Sequence, residues 1–565
     1  MTLEFFGKQI SGKYTIPSGI VTVTLDVLKK IAEIPQIGVL TTKSVGPEVR
    51  EGNQEPVFAQ INKDKFTNAV GLANPGCDLF AEELKNLELP KDKFLLVSIF
   101  GGSPEEFKKV AETIEPYADG LELNFSCPHA EGLGQAICSS PEIATTYLKA
   151  VQEVTKKPII VKLSPNIENI KPVAKALIDA GVDGITAVNT VGPEENKEPI
   201  SGEVVLSHKT GGISGNEITE IGLDKVRQIK EVCSEYDRTI PIIGMGGISC
   251  YDDVKAYEEA GADIIGIGTA LTGLDTEQTK KFFSNIENPE KETYQIDNNL
   301  MQFSELTINK VDRLAEDLII QHFDQSIECK PGQFYFLWIP GYMEKPLAPA
   351  ITHPATFAVR VIGPFTTKLS EMNPGEKIMI RGPYGNGFTI MDKKMLHYNL
   401  IGGGTGIAPL IYLAEELAKK GISKEHIHVF LGGRSANQIY FSEKFNRIAD
   451  VHVSTDDGSL GYKGFVTDML EQYLKKHLDR RAYNYICGPE IMMKKAFDIA
   501  KEYPHEEIEA SIERYMKCGV GICGICSMDG MRTCVDGTVF NKEFLEKSKC
   551  FGVCHRKKTG EIEKY

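Results

Sequence analysis

The sequence predicts a multidomain α/β protein: a (β/α)8 barrel, then a small antiparallel β-barrel, an α/β nucleotide-binding domain and a cysteine-rich C-terminal domain. Three observations carry this. Eight short β-branched runs alternate with amphipathic stretches up to about residue 290. Strand patterns without helices between them follow, then a strand, a glycine turn and a helix from His397 to Gly421. Near the C-terminus, Cys518, Cys523, Cys526 and Cys534 are spaced C-x4-C-x2-C-x7-C. The boundaries fall at 1–293, 294–392, 393–505 and 506–565. A length of 565 residues agrees, since a domain takes roughly 150.

The barrel strands read IPSGI, IGVLTTK, LLVSIF, LELNFS, IIVKLS, GITAVN, PIIGMGG and IIGIGT. In a (β/α)8 barrel the chemistry lies at the C-terminal ends of the strands. Lys43, Asn124, Lys162 and Asn189 fall there. One such residue would be unremarkable; four around one mouth make a candidate site. After the last two strands, Gly246, Gly247, Gly268 and Thr269 can bring bare N–H groups onto a phosphate. Glycine at a barrel corner is also a packing device, so the inference rests on both pairs occurring in register.

The second half carries strands in LTINKVDRLAEDLIIQHF, GQFYFLWIP and FAVRVIG, then GPYGNGF from Gly382. HYNLIGGGTGIAPLIYLAEELAKKG aims a helix N-terminus at a pyrophosphate, although it is not the GxGxxG fingerprint. CGPE, from Cys487, ends a later strand. The first three cysteines of the final run match the plant-type [2Fe–2S] spacing, and intervening glycines let N–H groups turn toward the sulfurs. A structural zinc site is the alternative, but x4 followed by x2 is unusual for it.

Composition narrows the class. A net charge of −15 gives no basic footprint for nucleic acid or anionic membrane. No apolar run approaches the ~18 residues of a membrane span, and MTLEFFGKQI lacks the features of a signal peptide. Of 13 cysteines, most lie from Cys487 onward; such clustering fits a cofactor in a reducing, cytoplasmic setting better than a disulfide framework.

TTKSV, NAVGLANPG, ELNFSCP, VKLSPN, AVNT and GGISG together resemble the class 1 dihydroorotate dehydrogenases, FMN-dependent barrels. The resemblance implies that Cys127 is the catalytic base, with Lys162 beside it. It implies a pyrimidine site of Lys43, Asn68, Gly71, Leu72, Asn124, Asn189 and Thr190. It implies FMN contacts from Ser18, Gly19, Lys43, Ser44, Asn124, Lys162 and Gly215, with the phosphate on Gly246, Gly247, Gly268 and Thr269. Oxidising dihydroorotate removes a proton from C5 and a hydride from C6, and a thiolate is a competent base. A lone cysteine can instead be a small buried hydrophobe, yet this one is flanked by Asn-Phe-Ser and Pro-His. The family usually has Asn where this chain has His129, a Cys-Pro-His pattern shared with dihydropyrimidine dehydrogenases. GLANPG argues the other way: in the dihydroorotate enzymes it offers N–H groups to the substrate carboxylate, which uracil and thymine lack.

Residues 300–565 resemble the electron-transfer subunit of class 1B dihydroorotate dehydrogenase, a ferredoxin reductase-like module. This implies FAD on Lys345, Pro346, Leu347, Ala348, Thr366, Gly382, Gly385 and Asn386. It implies NAD on Gly403, Gly404, Thr405, Gly406, Cys487 and Gly488, and a [2Fe–2S] cluster on Cys518, Cys523, Cys526 and Cys534. The family's Arg-Pro-x-Ser is here Lys-Pro-Leu-Ala, which keeps the charge but loses the guanidinium fork and a hydroxyl. Arg434 leaves a 2′-phosphate open, so NAD follows from the resemblance. Cys550 and Cys554 read as incidental. The expected activity is NAD-dependent oxidation of dihydroorotate through FMN, cluster and FAD, in a homodimer paired through the barrel. The alternatives are a dihydropyrimidine dehydrogenase and a non-catalytic electron relay.

Overall fold

The computed structural model describes residues 2–125, 135–138, 140–391, 393 and 395–565. The chain forms two compact units. The first comprises residues 1–302, 515–532 and 556–562; the second comprises 303–514, 533–555 and 563–565. The C-terminal segment therefore alternates between the two.

In the first unit, eight parallel strands close into a barrel in sequence order: β1 Tyr14–Thr15, β2 Ile37–Thr41, β3 Phe94–Ile99, β4 Gly120–Asn124, β5 Ile159–Leu163, β6 Gly184–Ala187, β7 Ile242–Met245 and β8 Ile264–Gly266. Their continuous apolar runs are buried throughout, as parallel strands covered by helices require. The covering helices start where the sequence marks them. Ser103 and Ser140 accept from the N–H groups of Glu106 and Ile143, each with proline at the next position. The first strand lies just before the expected IPSGI, which instead turns over the mouth. Pro17 and Gly19, at φ +83°, break the extended run.

An N-terminal hairpin, Leu3–Phe5 with Lys8–Ile10, closes one end of the barrel. Its Phe5 and Ile10 pack with Phe94, Ile160, Ile243 and Ile264 at the starts of the strands. The opposite mouth carries a four-stranded antiparallel sheet of Phe58–Asn62, Lys65–Asn68, Val191–Glu195 and Thr210–Ser214. The chain after the last barrel helix folds back onto this sheet: Gln60 bonds Asp297 O at 2.8 Å and Lys63 N bonds Asn298 at 2.8 Å.

The second unit contains two seven-stranded sheets. Seven antiparallel strands form a sheet in the order Glu344–Leu347, Phe334–Trp338, Lys377–Tyr384, Phe303–Ala315, Leu318–Phe323, Ala355–Arg360 and Ile351–Thr352. The long strand Phe303–Ala315 pairs through its first half with Lys377–Tyr384 and through its second with Leu318–Phe323. The second sheet consists of β9 His397–Gly403, β10 Ile427–Gly433, β11 Asp450–Thr455, β12 Tyr462–Lys463, β13 Ala482–Cys487, β14 His505–Ser511 and β15 Val539–Asn541. Its order is β12-β11-β10-β9-β13-β14-β15, with only β15 antiparallel. Strand order reverses between β9 and β13, the crevice where doubly wound sheets bind ligands.

Candidate functional site

The barrel mouth encloses one open cavity of about 1640 Å³ including its entrance. Every barrel residue named from the sequence lines it, apart from Cys127, which with His129 lies outside the described residues. β4 and β5 place Asn124 and Lys162 as register partners. Lys162 is 4% exposed, and its side-chain ammonium forms no hydrogen bond or ion pair with any described residue. A buried ammonium facing a cavity calls for an electron-rich ligand, because its desolvation is otherwise uncompensated. Ser44 joins the floor together: its hydroxyl meets Ser18 at 2.9 Å and Ser98 at 2.9 Å, and accepts from Asn124 Nδ2 at 3.0 Å.

The GLANPG loop is held in an unusual shape. Gly71 and Leu72 both adopt left-handed φ, +74° and +55°. A Cβ on Gly71 would lie 2.8 Å from Asn53 N. Asn74 is the clasp: its Oδ1 accepts from Gly46 N at 3.1 Å and Gly76 N at 2.8 Å, and its Nδ2 donates to Leu72 O at 2.9 Å. Arg50 Nε donates to Gly71 O at 2.9 Å. The N–H groups of Gly71 and Leu72, both buried, meet no acceptor among the described residues. Buried donors of this kind are ordinarily satisfied, so this pair is set for an anionic or carbonyl oxygen.

The phosphate corner has the same character. Gly246 and Gly247 take φ +133° and +73°. A Cβ on Gly247 would fall 2.1 Å from Thr219 Oγ1, so only glycine fits there. The N–H groups of Gly247, Gly268 and Thr269 also meet no acceptor among the described residues. Acceptor-less amides here and the unpaired Lys162 ammonium fit a flavin mononucleotide.

Two walls of the cavity escape sequence reasoning. Tyr294, Gln295 and Ile296 come from the segment that folds back over the mouth. Ile522 and Cys523 come from the cysteine loop. That loop docks on the barrel through Val21 N to Ile522 O at 2.7 Å and Gly273 N to Val520 O at 2.8 Å. Asp26 accepts from Gly530 N at 3.1 Å and Ser527 Oγ at 3.2 Å, and meets Arg556 at 3.4 Å. Burial alone would raise the Asp26 pKa; Arg556, with bonds from Thr24, Gly530 and Ser527, overcomes this and holds it below the usual value.

Cys518, Cys526 and Cys534 are buried and Cys523 is half-buried. The Cys523 thiol is pushed well up by its hydrogen bond to the Cys518 side chain, by burial and by the neighbouring Cys518 and Cys526 sulfurs. Gly519, Gly521 and Gly524 all sit at positive φ, 79°, 74° and 65°, which turns the loop backbone inward. Buried Arg532 donates to Gly521 O at 2.9 Å. The neighbouring Cys518, Cys523 and Cys526 thiols, with glycine turns between them, fit part of an iron–sulfur ligand set.

In the second unit, Lys345, Pro346, Leu347 and Ala348 are half-buried, the first three on an edge strand. The adjacent Glu344 forms a buried bidentate pair with Arg381, at 2.9 and 2.7 Å, and the guanidinium lies 4.1 Å over the Phe336 ring. The Thr366 hydroxyl caps its own helix, accepting from Ile362 and Gly363 N–H groups at 3.1 Å. Gly382 and Gly385 take φ +133° and +75°. Asn386 bonds both the N–H and the carbonyl of Val539, at 2.8 and 3.0 Å, so its side chain ties the sheet to β15.

At the switch point, Gly403, Gly404 and Thr405 line a cleft with Arg434, Phe465 and Lys495. Gly406 and Gly488 supply close approach instead: a Cβ on Gly406 would lie 2.4 Å from the Cys487 carbonyl carbon. Burial pushes the Cys487 thiol up to about 12.

Comparison with known proteins agrees with this division. The family model for dihydroorotate dehydrogenase matches residues 1–288. That for the oxidoreductase NAD-binding domain matches 400–498, and that for the iron–sulfur cluster binding domain of dihydroorotate dehydrogenase B matches 513–546. A Methanocaldococcus jannaschii protein named as a probable dihydroorotate dehydrogenase B (NAD(+)) electron transfer subunit is 41% identical over 42% of this chain and 89% of its own. The Pyrococcus abyssi dihydroorotate dehydrogenase B (NAD(+)) catalytic subunit is 39% identical over 48% of this chain and 87% of its own. The Methanocaldococcus jannaschii catalytic subunit is 39% identical over 47% and 85%.

Proposed function

Because the chain belongs to the dihydroorotate dehydrogenase family and joins in one polypeptide what its relatives divide between catalytic and electron-transfer subunits, we propose that it oxidises dihydroorotate to orotate and delivers the electrons to NAD+. The observation that carries this reading is one cavity wall: acceptor-less Gly71 and Leu72 N–H groups, a partnerless Lys162 and Cys523 all border the same space.

Bound FMN, FAD and the [2Fe–2S] cluster supply hydride and single-electron chemistry that side chains lack. The chain's own residues do the rest. Gly71 and Leu72 hold the substrate carboxylate, with Asn68 adding a side-chain donor. Asn124, Asn189 and Thr190 set the pyrimidine ring against Lys43 and Lys162. The Cys127 thiolate takes the C5 proton as a general base, three residues past the end of β4 in the sequence. Ser18, Gly19, Ser44, Gly215 and the glycines after β7 and β8 hold the flavin. Cys518, Cys523, Cys526 and Cys534 hold the cluster. The switch-point glycines hold the nicotinamide dinucleotide, and the Lys345–Ala348 edge strand with Gly382 holds FAD. We place the four domains at 1–293, 294–392, 393–505 and 506–565, the last of them shared between the two compact units. The clustered cysteines support a cytoplasmic setting, and the family resemblance supports a homodimer paired through the barrel. No described helix is long and apolar enough to cross a membrane.

The test compares kcat/KM for dihydroorotate and dihydrouracil on one preparation with all three cofactors verified. Each unpaired buried donor costs about 1–3 kcal/mol, so losing the carboxylate should lower kcat/KM by roughly 30-fold or more. Equal values, or a preference for dihydrouracil, would replace this reading with a dihydropyrimidine dehydrogenase.

A further inference from the structure

The end of the nucleotide-binding sheet opposite its glycine turn carries a feature that the redox function does not use. His397 begins β9, His428 is second in β10, and Asp450 and His452 are first and third in β11. Parallel register sets His428 beside both Asn399 and Asp450, and Phe430 beside His452. Alternate residues share a face of a sheet, so these side chains form one polar seam.

We propose that His428, Asp450 and His452 bind a single divalent transition-metal ion, zinc being the probe of choice. The three ligand atoms lie within 4.8 Å of one another. Asp450 Oδ2 is 3.4 Å from His428 Nδ1 and 3.2 Å from His452 Nε2. A tetrahedral site with bonds of about 2.0–2.1 Å has edges of roughly 3.3 Å, so both separations match one ion's coordination edge. Both ring nitrogens are buried and make no hydrogen bond, despite that short approach to a carboxylate. His428, with its side chain 3% exposed, is therefore a sequestered donor atom with no hydrogen-bond partner, and such atoms demand a reason.

The surroundings are those of a built site. The other nitrogen of His428, Nε2, lies 3.0 Å from His397 Nδ1, the outer-shell contact that fixes a ligand imidazole's orientation. Phe430 stacks on His452 at 4.8 Å and 17°, and Tyr473 lies 5.0 and 5.3 Å from the His452 and His428 rings. These rings lock rotamers, and the Tyr473 hydroxyl is already engaged as an acceptor by Arg480 at 2.8 Å. Asp450, 52% exposed, gives an entry path and room for a water as fourth ligand. The ion would clasp the starts of β10 and β11, with β9 held through His397. It lies at the sheet end away from the nucleotide cleft, so its role is to stiffen the domain.

The experiment uses the cluster-loaded holoenzyme, so that the four cluster cysteines are occupied. Protein is equilibrated with chelator-buffered zinc, and zinc and iron are measured together. The wild type should hold one zinc per chain, with binding at least tenfold weaker in Asp450→Asn and His452→Gln. Zinc should raise the melting temperature of the wild type alone. NADH-dependent dye reduction should be unchanged in both variants, confirming that they fold. Cobalt(II) in the wild type gives an independent reading: four-coordinate bands without thiolate charge transfer are expected. Absence of zinc uptake, equal uptake by the variants, or cobalt bands carrying thiolate charge transfer would each overturn the proposal.

Discussion

Replacing Asn74 with alanine isolates the loop that would read the substrate carboxylate. The side chain accepts from the Gly46 and Gly76 N–H groups and donates to Leu72 O, all in buried surroundings. Two buried donors left without acceptors cost about 1–3 kcal/mol each, on the order of 2–6 kcal/mol together. Leu72 sits at φ +55°, a conformation costing a non-glycine residue roughly 1–2 kcal/mol; without the Asn74 clasp, only the Arg50 bonds to Gly71 O and to the Asn74 backbone are left to oppose its relaxation. The loop should give way before the barrel does, carrying the Gly71 and Leu72 N–H groups out of line. A loss of 2 kcal/mol in transition-state binding corresponds to about 30-fold in kcat/KM. Asn74→Ala should therefore lower kcat/KM for dihydroorotate by about that factor, mainly through KM. Its slow turnover of dihydrouracil, which has no carboxylate to place, should barely change. Asn74→Asp keeps the acceptor but sets a carboxylate against Leu72 O, and should show the same selectivity loss. NADH-dependent dye reduction serves as internal control. If Asn74→Ala melts earlier yet keeps dihydroorotate kcat/KM within about threefold of wild type, the clasp is structural only and the carboxylate assignment fails.

Cys127→Ala should retain FMN but slow its bleaching by dihydroorotate by ~10²–10⁴-fold, the usual cost of a lost general base; stopped-flow absorbance would show near-normal bleaching if another group does the work. Cys526→Ala should abolish dihydroorotate-dependent NAD+ reduction while leaving the barrel flavin reducible, and full turnover in cluster-free protein would establish another electron route. The Asp26 pKa is lowered in the folded state, so its contribution is present above the unfolded aspartate value of about 3.9 and is lost as pH falls through the folded value. Hydrogen exchange at Gly530 should accelerate below about pH 4, and Asp26→Asn should remove that pH dependence; an identical pH profile in the variant would exclude Asp26 as the anchor.

The barrel is legible because its parallel strands are buried on both sides and so read as unbroken apolar runs, with functional side chains just beyond them. Lys43, Asn124, Lys162 and Asn189 could be placed on one mouth by counting strands alone. The first strand is displaced because Tyr14–Thr15 is too short to carry a pattern and the better-looking IPSGI contains its own turn residues. What the sequence hides is partnership across distance. Nothing in DNNLMQ announces that it binds Gln60 and Lys63, and the spacing of Cys523 says nothing of the barrel cavity it borders. The seam of His397, His428, Asp450 and His452 is likewise invisible until parallel register brings three strand starts together. Conversely, Thr366 and Asn386 stand where a cofactor contact is expected, yet their polar groups already serve a helix cap and the backbone of β15.

The alternation of the last fifty residues between the two units has a biosynthetic consequence. As the polypeptide leaves the ribosome, residues 1–302 can close the eight strands, but Ile522 and Cys523, which wall the cavity, are hundreds of codons away. The flavin pocket must remain unfinished through translation of most of the second unit, and its final closure brings Thr24 against Ser527, at 3.0 Å, across 503 residues. Loop entropy grows only logarithmically with length, so the finished contact is thermodynamically inexpensive; the delay lies in waiting for the segment to be made. Maturation of the barrel and insertion of the cluster thus become one late event, and a chain interrupted before its end would carry eight complete strands around a half-walled pocket.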